Sequence, residues 1–171
     1  MKDVYVVSDN LLTPLGETSE ENFSQLKKCV SGIRLHNDTS KSPVPFYASI
    51  FEKEEYCSDL TYTKFEKLLI KSVSKALEKT EVSLSNKNTI LIISTTKGNI
   101  SLLEDNDFTP ELAQKVALST SAKLVADYFK AANKPLIISN ACISGVMATV
   151  TAKRLLEVGQ YENAVVVGSD I

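Results

Sequence analysis

The chain of 171 residues has one histidine and three cysteines, and both scarcities limit the chemistry that it can carry. Cys29, Cys57 and Cys142 are odd in number and widely spaced, which argues against a disulfide framework and against a zinc site. Unpaired cysteines are typical of a reducing compartment, so we predict a cytoplasmic protein. We expect neither a metal ion nor a cofactor.

Long apolar runs are also missing. None approaches the ~20 residues of a membrane-spanning helix, and the opening MKDVY lacks the pattern of a signal peptide. The net charge of −2 does not suggest nucleic acid or an anionic membrane as a partner. The stretch T-T-K-G-N at residues 95–99 lacks the G-x-x-x-x-G-K pattern, which excludes a P-loop. A 43% hydrophobic content fits one globular domain with a core.

Short apolar runs alternate with helical patterns along the chain. Strands are predicted at residues 4–7, 89–94, 136–139 and 164–168, and residues 46–51 form either an edge strand or an extended arm. Helices are predicted to begin at Thr18 and Thr63, each with a glutamate three residues later, and at Thr109-Pro110. We expect residues 119–121 to interrupt the last of these. The alternation predicts an α/β fold with a largely parallel sheet covered by helices.

Cys142 lies in the most informative stretch, residues 134–158. Leu136 to Ser139 predicts a strand buried on both faces, because it is a brief apolar run after a proline. From Ile143 the apolar residues recur at helical spacing, and Gly159 can end that helix. Cys142 is therefore predicted at a strand-to-helix junction, where the helix dipole favours a thiolate and backbone N–H groups can hold an oxyanion. The alternative is a small buried cysteine without chemistry.

The segment N-A-C-I-S-G, followed by an amphipathic helix and A-V-V-V-G-S-D, resembles the active-site segment of β-ketoacyl-acyl carrier protein synthases, which belong to the thiolase superfamily. The pieces V-Y-V-V-S-D-N-L-L-T-P-L-G, E-N-F-S-Q-L-K and S-G-I-R are similar to the opening of the same enzymes. The resemblance implies a thiolase-like half with αβα layering and the strand at residues 4–7 in its centre. It also implies that Cys142 is the nucleophile that takes an acyl chain, and that its backbone N–H is part of the oxyanion hole.

The resemblance covers only the first half of such enzymes. Residues 1–171 are thus predicted to form a single domain that is the N-terminal thiolase-like half of such an enzyme, and the C-terminal half is absent. The two catalytic histidines of the family lie in that half, and His36 matches neither, so we predict it in a surface loop. Cys29 and Cys57 are predicted to have no function.

The function implied is decarboxylative Claisen condensation in fatty acid or polyketide-type synthesis, with this chain alone inactive. Three alternatives stay open: a non-catalytic partner subunit that shapes chain length, a coenzyme A-dependent thiolase-like enzyme, and a folded fragment without activity. The implied partners are acyl carrier protein thioesters. The resemblance further implies a homodimer or heterodimer through the strand Leu136 to Ser139, since an apolar edge strand invites pairing.

Overall fold

The computed structural model describes residues 3–51, 56, 61–104 and 106–170 of the chain. They belong to two compact units, one formed by Asp9–Cys57 and the other by Met1–Ser8 with Ser58–Ile171. The assignment of residues 1–171 to a single domain stays a prediction. In the described ranges, no helix combines the length and the apolar character needed to cross a bilayer.

The described residues of the smaller unit include one α-helix and one β-hairpin. Helix α1 (Ser19–Lys27) begins where the Thr18 side chain accepts a hydrogen bond from the Glu21 N–H, as predicted. Strands β1 (Arg34–His36) and β2 (Phe46–Ala48) pair antiparallel. The strand predicted around residues 46–51 is therefore confirmed over Phe46–Ala48.

His36 lies in β1, so the prediction of a surface loop is wrong. It is opposite Phe46 in the hairpin, and the two rings stack with their centroids 5.5 Å apart. Its Nε2 lies 3.1 Å from the carbonyl oxygen of Ala48. His36 is half-buried because its strand pairs with residues ten or more positions further along the chain. The polar residues next to it in the sequence gave no sign of this pairing.

The larger unit is a parallel sheet with helices on both faces. In chain order its elements are α2 (Lys64–Leu77), β3 (Thr89–Ser94), a 3₁₀ helix (Ile100–Leu103), α3 (Pro110–Val116), α4 (Leu118–Tyr128), β4 (Leu136–Ile138), α5 (Ser144–Glu157) and β5 (Asn163–Gly168). The strand order is β4-β3-β5, and β3 pairs in parallel with both neighbours. All six residues of β3 are buried.

Alternate side chains of β3 enter two separate cores. Leu91 and Ile93 pack into the core that contains the buried faces of α2 and α4. Ile90 and Ile92 point the other way and pack with Ala148 and Ala152 of α5. This alternation gives the predicted α/β fold, with αβα layering around a parallel sheet.

The predicted strand at residues 4–7 is wrong, and so is its central place in the sheet. Tyr5, Val6 and Val7 are 76%, 87% and 69% exposed. A strand requires a neighbour that pairs with its backbone, and among the described residues no strand pairs with this segment. The central strand of the described sheet is β3, because β4 pairs with it on one side and β5 on the other.

Two further expectations need correction. Strand β4 is not covered on both faces: it is an edge of the described sheet, with Leu136 38% exposed. The helix that begins at Thr109 is interrupted at Ala117, whose extended backbone (φ −61°, ψ 123°) separates α3 from α4, and not at residues 119–121. Those serines and the threonine form the first turn of α4, and Ser121 there is buried.

A buried polar cluster ties α2 to the segment after β3. The Thr63–Glu66 capping box predicted from the sequence is present in full. Glu66 is only 1% exposed, and its carboxylate also accepts hydrogen bonds from Asn99 Nδ2 at 2.7 Å and from the Ser121 hydroxyl. A buried carboxylate is tolerated only with such donors, so Glu66 holds three segments together.

We expect Glu66→Ala to lower the free energy of unfolding by about 2–3 kcal/mol, because Asn99 and Ser121 lose their shared acceptor inside the core. Denaturant unfolding measures this change. The matched control is Glu78→Ala, which removes an exposed partner of Lys75 at 3.0 Å and is expected to cost less than about 1 kcal/mol. Equal losses in the two variants would show that the buried cluster contributes no more than a surface ion pair.

Candidate active site

The three parallel strands end at one edge of the sheet, and a polar turn follows each of them. Residues 95–99 follow β3, residues 139–143 follow β4, and Ser169 and Asp170 follow β5. In open parallel sheets this carboxyl edge is where ligands bind. The candidate site is therefore the edge that these three turns share.

Cys142 lies in the turn between β4 and α5, as the sequence predicted, and is exposed. The residue before it, Ala141, has φ +45°, a left-handed conformation that non-glycine residues rarely adopt. Such strain costs of the order of 1 kcal/mol and occurs often at functional sites. The turn presents the thiol to solvent two residues before α5 begins.

Ser144 supports this turn from inside. It is 6% exposed, its Oγ accepts a hydrogen bond from the Asn140 N–H at 2.8 Å, and the same hydroxyl donates to the Ala141 carbonyl at 2.7 Å. No sequence pattern predicted a role for Ser144. The available signal was a serine in the first turn of a helix, where such side chains often bond to the preceding backbone.

The first turn of α5 gives the site its electrostatic character. The helix has 14 residues, and no side chain caps its N-terminus. Its dipole favours negative charge at that end. Gly145 lies in the same turn, and apart from its chain neighbours and the nearby helix backbone no described atom lies within 4 Å of the position a Cβ would take there. The space that a side chain at position 145 would take is therefore open among the described residues.

Asp170 fixes the turn after β3 to the turn after β5. Its Oδ1 accepts hydrogen bonds from the Thr95 hydroxyl at 2.9 Å and the Thr96 N–H at 3.1 Å. Burial raises the pKa of Asp170, but hydrogen bonds from the N–H of Thr96 and the hydroxyls of both threonines outweigh it, so the pKa lies below its usual 3.8. The carboxylate is therefore stabilised in its charged form. No sequence pattern predicted a role for Asp170.

Thr95 also forms hydrogen bonds with the tight turn that follows it and with β4. Its hydroxyl oxygen accepts the Gly98 N–H at 3.0 Å, and its own N–H donates to the Ile138 carbonyl of β4 at 3.3 Å. Gly98 has φ +55°, and a Cβ there would lie 2.4 Å from Leu118 Cδ2. Glycine is thus required at this position by backbone and packing, so the T-T-K-G-N stretch has a structural explanation that needs no phosphate.

Cys29 belongs to the smaller unit, whereas the three strands of this edge belong to the larger one. Cys29 is exposed and follows the C-terminal end of α1, where the helix dipole disfavours negative charge. Cys57 lies outside the described residues. His36 belongs to the smaller unit. Among the residues that the structure describes, no three His, Cys, Asp or Glu side chains are grouped as a metal site would require.

No protein-family model matches the chain, and no curated protein does. Solved structures match it in fold. A β-ketoacyl synthase from Burkholderia phymatum STM815 has a TM-score of 0.71 at 18% identity, over 94% of this chain and 45% of that protein. The ketosynthase from module 6 of the bacillaene synthase of Bacillus subtilis 168 has a TM-score of 0.69 at 14% identity, over 93% and 30%.

An oxazolomycin ketosynthase domain from Streptomyces albus JA3453 has a TM-score of 0.73 at 15% identity, over 97% of this chain and 35% of that one. The chain spans less than half the length of each of these three structures. Together they show that the chain has the fold of a part of these ketosynthase structures, as its sequence motifs implied.

The lowered pKa of Asp170 predicts a pH-dependent contribution to stability. A depressed pKa in the folded state stabilises the fold above the unfolded-state pKa, near 3.8, and that stabilisation is lost as the pH falls through the folded-state pKa. We therefore expect Asp170→Asn to be less stable than the parent chain at neutral pH and the difference to shrink below pH 3.8. Unfolding measured across this range checks the expectation.

The control for that experiment is the same substitution in a Thr95→Val background. Since the Thr95 hydroxyl is one of the donors to Asp170, the two substitutions should not be additive. If the difference in stability between the parent chain and Asp170→Asn is the same at every pH, the lowered pKa of Asp170 is contradicted.

Proposed function

We propose that this chain is the cysteine-bearing part of a β-ketoacyl-acyl carrier protein synthase, and that Cys142 accepts the acyl chain. The observation that carries the proposal is the exposed Cys142 in a strained turn at the carboxyl edge of a ketosynthase-like sheet. A structural cysteine is usually buried. An exposed cysteine in a strained turn that leads into a helix suits a nucleophile.

The proposed reaction is thioester exchange. The sulfur of Cys142, as the thiolate, attacks the carbonyl carbon of an acyl thioester, and the carbonyl oxygen becomes an oxyanion. The Cys142 backbone N–H is proposed to hold that oxyanion. Collapse expels the thiolate of the carrier, which takes up the proton that Cys142 lost, and the acyl group is left on Cys142. The acyl donor is proposed to be an acyl carrier protein thioester.

Condensation requires further groups. Decarboxylation of a malonyl extender and stabilisation of the resulting enolate need donors that the motif match does not assign to His36 or to any other residue of this chain. The loss of one such group lowers the rate by a factor of ~10²–10³, and the loss of several that act together lowers it much further. We therefore propose that condensation requires the rest of a synthase. The thiol must also stay reduced, which fits the proposed cytoplasmic location.

The test is to incubate the chain with an acyl-loaded and a malonyl-loaded carrier protein and to analyse peptides and products by mass. We expect slow acylation of Cys142 and no β-ketoacyl product. Cys142→Ser should abolish the stable thioester adduct, while Cys29→Ser, the matched control at another exposed thiol, should not. An acyl group found mainly on Cys29 or Cys57 would refute the assignment of Cys142 as the nucleophile. Condensation by the chain alone would refute the proposal that this step requires the rest of a synthase.

We also propose that the complete protein dimerises through β4. One side of β4 pairs with β3, and no described strand pairs with the other. A three-residue apolar strand with an open edge favours pairing with a second copy. A dimer would continue the sheet across two subunits and cover side chains that β4 leaves half-exposed.

Sedimentation of the complete protein at micromolar concentration checks this interface. Leu136→Lys should shift the protein towards monomer, because two like charges would meet across the paired edges. Leu136→Met is the control, since it changes the same 38%-exposed side chain without adding charge. A dimer that tolerates Leu136→Lys as well as Leu136→Met would place the interface elsewhere.

A further inference from the structure

We infer that Ser144 is a positioning residue that sets the direction of the Cys142 backbone N–H. This inference rests on the proposed function, in which that N–H holds the oxyanion. It assigns to Ser144 an effect on acyl transfer that acts through the Ala141–Cys142 peptide and requires no contact with the substrate.

The hydrogen bonds of Ser144 converge on that peptide. The Ala141 carbonyl accepts from the Ser144 hydroxyl at 2.7 Å and from the Ser144 N–H at 3.2 Å. The hydroxyl is itself held by the Asn140 N–H at 2.8 Å. Ser144 is 6% exposed, so water competes little for these bonds. One buried residue thus holds the carbonyl oxygen of Ala141 with two donors.

Peptide geometry carries this constraint to Cys142. The Ala141 carbonyl and the Cys142 N–H belong to one planar unit, and no described peptide bond is cis. In a trans peptide the C=O and N–H bonds point in opposite directions. The donors that hold the carbonyl therefore also direct the Cys142 N–H away from Ser144. Because Ala141 has φ +45°, the turn needs such support to persist.

Two reactions of the same thiol separate this role from a general structural one. Attack on a thioester turns a carbonyl oxygen into an oxyanion, so its rate depends on where the Cys142 N–H points. Alkylation by iodoacetamide displaces iodide from a saturated carbon and creates no oxyanion. A change in exposure or charge of the thiol should alter both rates, whereas a misdirected N–H should alter only acylation.

The experiment measures both rates at Cys142 in the parent chain, in Ser144→Ala and in Thr151→Ala. Thr151 is the matched control, since its hydroxyl also donates to a backbone carbonyl of α5, that of Met147 at 2.7 Å. We expect Ser144→Ala to slow acylation by an acyl-loaded carrier protein about tenfold or more, a part of the effect of losing an oxyanion donor. Alkylation should change little, and Thr151→Ala should leave both rates near those of the parent.

A second pair of variants covers the case in which Ser144→Ala does not fold, as judged by circular dichroism. Ser144→Thr and Ser144→Val have the same size and differ in the hydroxyl, so acylation should be faster in the threonine variant at equal alkylation. Equal acylation in that pair, or a parallel loss of both reactions in Ser144→Ala, would overturn the inference. A parent chain that is alkylated but never acylated at Cys142 would instead refute the proposed function, and the inference with it.

Discussion

Burial of β3 on both faces and along both edges is the constraint on which the larger unit depends. Its six residues are all buried, and β4 and β5 pair with it in the same direction. Apolar side chains on opposite faces then require a helical layer on each side, which α2 and α4 supply on one face and α5 on the other. Parallel pairing also brings the carboxyl ends of the three strands to one edge.

That shared edge explains why polar turns with little sequence similarity become one site. Asp170 bonds to the threonines after β3, and Thr95 bonds in turn to the carbonyl of Ile138 in β4. A continuous set of hydrogen bonds therefore runs across the ends of all three strands. These hydrogen bonds link the carboxylate of Asp170 to β4, the strand that leads into the turn with Cys142.

The turn itself contains a strained backbone position that a buried side chain supports. A left-handed alanine and a glycine near a helix N-terminus both oppose folding, by about 1 kcal/mol each. Packing does not require a glycine at position 145, because the space for a side chain there is open among the described residues. The buried hydroxyl of Ser144 offsets part of the strain at Ala141. The turn therefore combines a strained backbone position with a buried side chain that supports it.

Local signals determined much of this structure. The caps at Thr63 and Thr109, the apolar run of β3 and the junction at Cys142 were predictable, because each depends on residues within one or two turns of the chain. The motifs around Cys142 also led to the ketosynthase-like fold. These features follow from hydrogen bonds and side-chain periods that a short segment satisfies by itself.

Tertiary structure alone decided the rest. Residues 4–7 and β4 are similar apolar runs, yet one lies outside the sheet and the other at its edge, because pairing and burial depend on distant neighbours. The same holds for Asp170, which acquires its donors from threonines some 75 positions earlier. The sequence by itself determined which segments form helices and where the thiol lies between strand and helix. Only the fold decided which strand is central and which polar groups meet, since contacts across long separations depend on how the sheet assembles.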